Sequence, residues 1–509
     1  MDTYDYLMSG FAVATRPDNL LYCFIGCLWG TIVGVLPGLG PLAGLTLLLP
    51  LTYKLEPASA VIMLSGIFYG AMYGGSTTSI LLRIPGEAAS IMTCIDGHAM
   101  AKQGRAGPAL VVAGIGSFIG GTVSIIGLML FAPPLAQLML KVGPAAEFAL
   151  MAMALLVMGF VSSGPPVKTL MMIVLGLLIA TIGLDPLSGF PRFTFGHIEL
   201  SDGLSFVAMA LGLFGISEIL LNLEDLRKVE PIRPTFASLI PRAADLRASA
   251  PAIARGTVVG FVFGFVPGIS HVVSTFVSYA LEKKLSRHPE EFGRGAIAGV
   301  AGPETANNAT TGSAMIPLLV LGIPAIPATA ILLSALMIHG VNPGPQLVSE
   351  HPQVFWGLIA SMYIGNLMLL ALNLPLVGLF VNLLRIPYAW LAPSVLLICI
   401  VGIYSVNANA AEIGIMAAFG LIGYVLRKFE FDCAPLLLAV VIGDRMEVAL
   451  RRALIISEGN WAALAQDAFS RIFLSAIVVL VLLQCIAWWL GLRRRDLIEP
   501  VPTTEEHRP

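Results

Sequence analysis

The chain has few charged residues and lacks the motifs of ATP-driven and hydrolytic membrane proteins. Asp, Glu, Lys and Arg make up 12% of its 509 residues, and hydrophobic residues make up 57%, whereas soluble globular proteins carry about 25% charged residues. No Walker A sequence, H-E-x-x-H or G-x-S-x-G occurs, so neither a nucleotide-driven pump nor a common hydrolase is indicated. The composition predicts a polytopic membrane protein.

Neither charge nor cysteine content indicates a further class of partner or cofactor. The formal net charge is −2, which gives no reason to expect a nucleic-acid partner. The cysteines lie mostly within apolar runs and have no metal-site spacing, so we interpret them as small buried residues. They are Cys23, Cys27, Cys94, Cys399, Cys433 and Cys485. We expect no cofactor and no enzymatic activity.

A broken-helix motif, G-x-x-x-G-x-x-P-G, occurs twice within apolar runs, at 30–38 and 260–268. Proline removes a backbone donor and glycine tolerates unusual dihedral angles, so a helix that reaches either Pro-Gly should break. Irregular backbone at membrane depth is tolerated where it lines a cavity or is buried in protein. Paired broken helices in two halves of a chain point to the binding site of a secondary transporter.

A polar stretch followed by Ile-Pro comes after each motif. Gly74–Ser79 leads to Ile84-Pro85, and Asn307–Ser313 leads to Ile323-Pro324. These features predict an all-α polytopic membrane protein with about ten to thirteen transmembrane or re-entrant helices in two repeats, broken at the Pro-Gly motifs.

Basic residues divide the chain and orient it. Residues 223–251 carry five arginine or lysine residues, and Arg493–Arg495 follow the last apolar run, whereas 340–353 has neither residue type. By the positive-inside rule the linker and the C-terminus are cytoplasmic. The predicted division is a polar segment at 1–19, membrane halves at 20–222 and 252–492, the linker at 223–251 and a disordered tail at 493–509. The flanking charges favour an inverted repeat in which the second motif forms a re-entrant hairpin, although a broken full span fits the segment lengths almost as well.

The polar stretches and the breaks supply the candidate site. Hydroxyls, amides, free carbonyls and helix N-termini can replace the hydration shell of an anion or a cation, although small residues also serve close helix packing. The candidate substrate-binding residues are Pro37, Gly38, Gly40, Gly74, Gly75, Ser76, Thr77, Thr78, Pro267, Gly268, Ser270, Asn307, Asn308, Thr310 and Thr311.

Ionisable residues within these regions are functional candidates because a charge is costly in a membrane. Glu304, together with Asn307 and Asn308, is the candidate ion-coupling group. Arg83 could meet a substrate carboxylate or pair with Glu87 or Glu304; a structural ion pair between the repeats is the alternative. His271 could sense protons, but a lone histidine is more often a satisfied hydrogen-bonding residue. Na⁺ binding is expected as one option, with ligands that the sequence does not identify.

The chain resembles the large membrane subunit, the TctA type, of the tripartite tricarboxylate transporters. The matching stretches are GTIVGVLPGLGPLAGLTLLLPLTYKL at 30–55, YGAMYGGSTTSILLRIPGEAAS at 69–90, DGHAMAKQGRAG at 96–107, YALEKKLSRHPEEFGRGAIAGVAGPETANNATTGSAMIPLLVLGIP at 279–324 and MIHGVNPGP at 337–345. The resemblance covers about 20–470. It implies cation-coupled uptake of a carboxylate at the bacterial inner membrane, with a periplasmic solute-binding protein and a small membrane subunit as partners.

Two departures from the family pattern lie near the candidate site. Ser270 stands where the family often has a second glycine after Pro-Gly, and Ala325 stands where Ile-Pro-Gly is usual. We expect them to tune the choice among di- and tricarboxylates. A passive anion channel for organic acids is the alternative function; a lipid-modifying enzyme would need a clustered acid, base or nucleophile, which the sequence does not offer.

Overall fold

The computed structural model describes residues 3–36, 40–161, 165–224, 241–268, 271–376, 378–379, 388–407 and 409–489. Within these ranges the chain is almost entirely helical, and its strands are Gly183–Leu184 and Pro191–Arg192, which pair antiparallel. The all-α class predicted from the sequence is therefore confirmed. The tail predicted at 493–509 lies outside the described residues.

Nineteen α-helices follow one another in the described residues. They are α1 Thr3–Ala14, α2 Pro17–Val35, α3 Gly40–Leu48, α4 Pro57–Leu82, α5 Ile91–Lys102, α6 Ala106–Met139, α7 Pro144–Val161, α8 Pro166–Ala180, α9 Phe206–Glu224, α10 Ala243–Phe265, α11 His271–Leu285, α12 Ala298–Ser313, α13 Pro327–Ile338, α14 Leu347–Glu350, α15 Pro352–Asn373, α16 Tyr388–Asn407, α17 Ala410–Lys428, α18 Ala434–Ile456 and α19 Ala468–Trp489. Short 3₁₀ turns connect several of them, and Leu211–Ile216 within α9 is a π-helical segment.

Seven of the described helices are long and apolar enough to cross a membrane, namely α2, α4, α6, α9, α10, α15 and α17. Five shorter apolar stretches of 10–17 residues accompany them. Short apolar helices are expected where a segment is broken inside the bilayer, because each part then covers only a fraction of the roughly 30 Å hydrocarbon core.

Both Pro-Gly motifs interrupt helices, as the sequence predicts. Helix α2 ends at Val35 and α3 begins at Gly40; α10 ends at Phe265 and α11 begins at His271. Helix α10 begins at Ala243, so the C-terminal part of the linker predicted at 223–251 is helical, and residues 225–240 lie outside the described residues.

Glycine stripes hold α2 in backbone contact with α4 in the first repeat, and α10 in backbone contact with α12 in the second. A Cβ on any of these glycines would lie 2.2–2.4 Å from a carbonyl oxygen of the partner helix. On α2 and α4 the pairs are Gly26 with Met63, Gly30 with Ile67 and Gly34 with Ala71; on α10 and α12 they are Gly256 with Gly302, Gly260 with Ala306 and Gly264 with Thr310. The identical four-residue spacing is structural evidence for two repeats.

The Ile-Pro turns are also equivalent. Arg83 (φ 60°, ψ 24°) ends α4 and Gly322 (φ 65°, ψ 23°) precedes the second turn, both in the left-handed conformation. Four residues later, the backbone N–H groups of Glu87 and Ile326 donate to the hydroxyls of Ser90 and Thr329. When Arg83 is aligned with Gly322, Ser76 is aligned with Met315, since each lies seven residues earlier in the chain. The two polar stretches therefore do not occupy equivalent positions, although each precedes an Ile-Pro turn.

The two repeats interlock. Asn308 on α12 donates a 2.7 Å hydrogen bond to Ser117 on α6, and Tyr73 on α4 donates a 2.6 Å hydrogen bond to Asn366 on α15. Each repeat thus packs a later helix against the glycine-stripe helices of the other. This exchange brings the Pro-Gly and Ile-Pro breaks of both halves towards one region.

Candidate substrate cavity

A cavity of about 460 Å³ lies where the four helix breaks meet. Its walls include residues that follow each Pro-Gly motif and each Ile-Pro turn, together with side chains of α9, α17 and α18. Residues from the breaks are Gly40, Pro41, Leu42, Pro85, Gly86, Glu87, Ala88, Ala89, Gly268, His271, Val272, Ala325, Ile326, Pro327 and Ala328. The volume is within the range of about 300–1,000 Å³ that is typical of small-molecule sites.

Helix N-termini converge on this cavity. The first residues of α3, α11, α13 and α18 line it, as does the 3₁₀ turn Ala88–Ser90 that leads into α5. The first N–H groups of a helix have no intrahelical acceptor, and the helix dipole makes this end positive. Several such ends around one space favour an anion.

The backbone of the second repeat is fixed at this point. Gly268 donates its N–H to the carbonyl of Ala325 over 2.9 Å, which joins the Pro-Gly break to the Ile-Pro turn. Its φ of +89° is the region that suits glycine, and a Cβ there would lie 2.7 Å from the carbonyl oxygen of Ala154. Ala325 is one of the two departures from the family pattern. It lines the cavity and accepts the hydrogen bond that connects the two breaks.

Charged side chains line the cavity as well. Among the described lining residues there are three carboxylates, Glu87, Glu218 and Asp432, and one guanidinium, Arg427. Arg427 forms an ion pair with Glu218. His271 also lies in the wall, where its Nε2 is 3.2 Å from Thr311 Oγ1 and its ring meets the edge of Phe68. The carboxylates outnumber the permanent cation, so an anionic ligand would enter against an acidic background.

A buried polar network lies behind the Glu87 wall. Asn307 donates from Nδ2 to Glu87 Oε1 over 2.6 Å, and its own Oδ1 is buried with no hydrogen-bond partner in the described structure. One helical turn away, Glu304 is 1% exposed and accepts hydrogen bonds from the hydroxyls of Ser76 and Thr93. Side chains of both repeats thus meet at two carboxylates, the buried Glu304 and the half-buried Glu87.

The predicted site residues divide between the cavity wall and this buried interior. Gly40 and Gly268 line the cavity, whereas Pro37, Gly38 and Ser270 lie outside the described residues. Pro267 lies within the second break and is not among the residues that line the cavity. Asn308 contacts Ser117, as described above.

The remaining predicted residues stabilise contacts between helices. Gly74 lies against the Thr31 carbonyl and Gly75 against the Glu87 side chain. Thr77 is buried, Thr78 donates to the Val35 carbonyl at the end of α2, and Thr310 donates to Ser274.

Arg83 is not among the described residues that line the cavity. It is exposed, and among the described residues it forms no ion pair. Glu87 and Glu304, its two candidate partners, contact Asn307, Ser76 and Thr93 instead.

Arg427, Glu218 and Asp432 were missed by the sequence reasoning. Glu218 offered a signal, because it is an ionisable residue within the largely apolar sequence of residues 203–222, and such residues are functional candidates. Arg427 offered none, since a basic residue at the end of an apolar helix is normally a flanking charge. Only the packing of α17 on α9 places its guanidinium in a cavity.

The five cysteines whose side chains the structure describes, Cys23, Cys27, Cys94, Cys399 and Cys433, are buried and unpaired. This agrees with the interpretation of these residues as small buried side chains; the side chain of Cys485 is not described.

Comparison with known proteins identifies the family. The family model described as "Tripartite tricarboxylate transporter TctA family" matches residues 20–438. An uncharacterized 52.8 kDa protein in the TAR-I ttuC' 3'region of Agrobacterium vitis is 46% identical over 489 residues, which cover 96% of this chain and 97% of that protein. An uncharacterized protein in the TAR-II ttuC' 3'region of the same organism is 46% identical over 224 residues, covering 44% of this chain and 93% of that protein. No solved structure matches the chain. The chain therefore belongs to the tripartite tricarboxylate transporter TctA family.

Proposed function

We propose that this chain is the membrane subunit that imports a small di- or tricarboxylate, such as citrate, by coupling its movement to a Na⁺ or H⁺ gradient. It would work in the bacterial inner membrane, with a periplasmic solute-binding protein and a small membrane subunit as partners and with its C-terminus in the cytoplasm. Members of the family act in tripartite systems, which supports this assignment.

The convergence of helix N-termini on the 460 Å³ cavity is the observation that carries the proposal. A carboxylate needs favourable electrostatic partners when it leaves water, and the positive ends of the helix dipoles provide them without the cost of a buried charge. Broken helices near the middle of a membrane protein can also change their packing as rigid half-helices, as alternating access requires.

The acidic character of the cavity supports cation coupling. Three carboxylates and one guanidinium line the described wall, so binding of a di- or tricarboxylate alone would add negative charge to a region of low dielectric. Entry of Na⁺ or H⁺ with the substrate would offset this repulsion. In this proposal, a gradient of the cation drives uptake because the anion binds well only when the cation is present.

The Glu87, Asn307 and Glu304 network is the proposed coupling element. Glu87 lines the cavity, and Asn307 connects it to the helix that carries Glu304. The unpartnered Asn307 Oδ1 is a potential ligand for a cation, since buried polar atoms are normally paired. Because Ser76 and Thr93 come from the other repeat, a change in charge at Glu304 would act on the packing between repeats.

Uptake of labelled citrate into proteoliposomes tests this function. The vesicles would contain both membrane subunits, with and without the binding protein, and imposed Na⁺ or H⁺ gradients. Accumulation above the equilibrium level that depends on one gradient and on the binding protein is expected. Uptake that only equilibrates citrate, without any gradient, would instead support the passive channel, and absence of uptake for citrate and related acids would contradict the proposal.

A further inference from the structure

We propose that Arg427 is the residue that recognises a carboxylate of the substrate, and that Glu218 pairs with Arg427 until the substrate binds. The inference rests on the proposed function and deepens it, because it assigns the anion contact to a guanidinium in addition to the helix N-termini. The ion pair between Arg427 and Glu218 would be exchanged for one between Arg427 and the substrate.

The position of the two side chains is the first argument. Arg427 lies in the last turn of α17 and Glu218 lies on α9, and both line the 460 Å³ cavity. Their side chains are 25% and 19% exposed, so the ion pair faces the space that a ligand would occupy while most of it is shielded from bulk water. A planar guanidinium matches a carboxylate with two parallel hydrogen bonds, which gives both affinity and orientation.

The surroundings of Arg427 are the second argument. The guanidinium carbon is 5.8 Å from the centre of the Phe214 ring, which also lines the cavity. Phe214 lies inside the π-helical segment Leu211–Ile216, and Glu218 follows that segment by two residues. Single π-helical turns are uncommon and frequently occur at functional sites, because they shift the direction of the following side chains. Here the segment precedes the carboxylate that faces the cavity.

A purely structural ion pair between α17 and α9 is the competing interpretation. The neighbouring ion pair of Lys428 allows the two interpretations to be distinguished. Lys428 pairs with Glu224 between the same two helices, yet these side chains are 45% and 44% exposed and neither lines the cavity. If the Arg427 pair merely fastened the helices, loss of either pair should have similar consequences. If Arg427 recognises substrate, only its own loss should alter substrate affinity.

Exchange of one carboxylate for another keeps the charge around Arg427 balanced. Glu218 satisfies the guanidinium when no substrate is present, which avoids an unpaired charge inside a membrane protein. The same contact makes Glu218 a competitor of the substrate. Removal of the charge on Glu218 should therefore strengthen substrate binding, whereas removal of Arg427 should weaken it. A structural ion pair would not give effects of opposite sign.

Initial rates of labelled citrate uptake into proteoliposomes, with both membrane subunits and the binding protein, test the assignment. Arg427→Gln should raise KM at least about 10-fold, and Arg427→Lys should have an intermediate effect because lysine keeps the charge without the planar fork. Glu218→Gln should lower KM several-fold, in the range of about 2- to 10-fold. Lys428→Gln and Glu224→Gln are the matched controls and should leave KM within about two-fold of wild type.

Folding is checked separately by the amount of each variant in the membrane and by its thermal unfolding in detergent. Should Arg427→Gln fail to fold, the opposite shift in Glu218→Gln and the intermediate Arg427→Lys still decide the question. The assignment would be overturned by an unchanged KM in Arg427→Lys and Glu218→Gln, or by a change of KM in Lys428→Gln as large as that in Arg427→Gln. In either case, normal uptake by the wild-type complex would still support the proposed function. Absence of gradient-driven uptake by the wild-type complex in the same vesicles would contradict both.

Discussion

Asn307 on α12 donates a hydrogen bond to Glu87 across the boundary between the two repeats, with 2.6 Å between Nδ2 and Oε1. Glu87 lines the cavity, and Asn307 lies one turn from Glu304 on the same helix. A conformational change that moves Asn307 in the second repeat would therefore alter the hydrogen bonding of Glu87 in the first.

Replacement of Asn307 by alanine should impair transport. A hydrogen bond to a charged group contributes about 1.5–3 kcal/mol, so we expect uptake of labelled citrate to fall at least about 10-fold while the chain remains in the membrane. Asn373→Ala is a matched control, because Asn373 is also a buried amide and donates to Thr31 and the Leu369 carbonyl without lining the cavity. Near-normal uptake by Asn307→Ala would remove this contact from the mechanism.

Replacement of Glu304 by glutamine should abolish accumulation. Glutamine keeps the size of the side chain, and its carbonyl oxygen can accept from one of the two hydroxyls, Ser76 or Thr93, while its NH₂ group donates to the other. It can neither release a proton nor neutralise a cation. Gradient-driven citrate accumulation measures the effect, and membrane levels of the variant check folding. Glu56→Gln, at a residue exposed to solvent in a surface ion pair with Arg16, serves as the control. Near-normal transport by both Glu304→Gln and Asn307→Ala would place the coupling site elsewhere.

An added methyl group on a glycine stripe should destabilise the helix pair. A Cβ at Gly260 would lie 2.2 Å from the Ala306 carbonyl oxygen, and overpacking of this kind typically costs about 1–3 kcal/mol. Gly260→Ala should therefore lower the Tm in detergent by several degrees. Gly414→Ala is the control, since no atom lies within 4 Å of its added Cβ; alanine in this helix is expected to be neutral or slightly stabilising. Equal Tm values for the two variants would contradict the close contact.

The ion pair of Asp185 should hold the hairpin of residues 183–192 against α18 even at acidic pH. Its side chain is 9% exposed and forms a 2.5 Å ion pair with Arg451. This contact, and the N–H group of Ser188, hold the pKa of Asp185 well below its ordinary value of 3.8. Because the pKa is lower in the folded state, the stabilisation is present above the ordinary carboxyl pKa and is lost only as the pH falls through the folded value.

Hydrogen exchange of residues 183–192 measures this effect. Protection, corrected for the intrinsic pH dependence of exchange, should be the same at about pH 7 and pH 5, where Asp185 is ionised in both the folded and the unfolded chain. Asp185→Asn should reduce protection at both values because the ion pair is gone. Loss of protection in the wild type between these pH values would show that another group controls the hairpin.

Helix breaks could be predicted from the sequence because their cause is local. Proline lacks an N–H and glycine accepts unusual dihedral angles, so a Pro-Gly pair favours the end of a helix, and α10 ends at Phe265, shortly before Pro267-Gly268. The repeated G-x-x-x-G spacing likewise fixed which faces of α2 and α10 could approach another backbone. The family could be identified on the same basis, from motifs that are contiguous in the chain.

The register of the two polar stretches could not be predicted, because sequence similarity alone does not give it. Ser76 and Asn307 belong to similar polar runs, but the shared geometry of Arg83 and Gly322 shows that the two runs are displaced from each other. Ser76 of the first repeat accordingly does not meet a hydroxyl of the second polar stretch. It donates a 2.6 Å hydrogen bond to the carboxylate of Glu304 in the second repeat.

The sequence by itself determined that this chain is a helical membrane protein of two repeats with breaks at fixed places, since composition, hydropathy and the dihedral limits of proline and glycine act over a few residues. Only the tertiary structure decided which distant side chains share the cavity. Arg427 and Glu218 are separated by about two hundred positions, and nothing near either residue specifies the other. Their contact exists because α17 packs against α9, and that packing depends on the complementary surfaces of both helices.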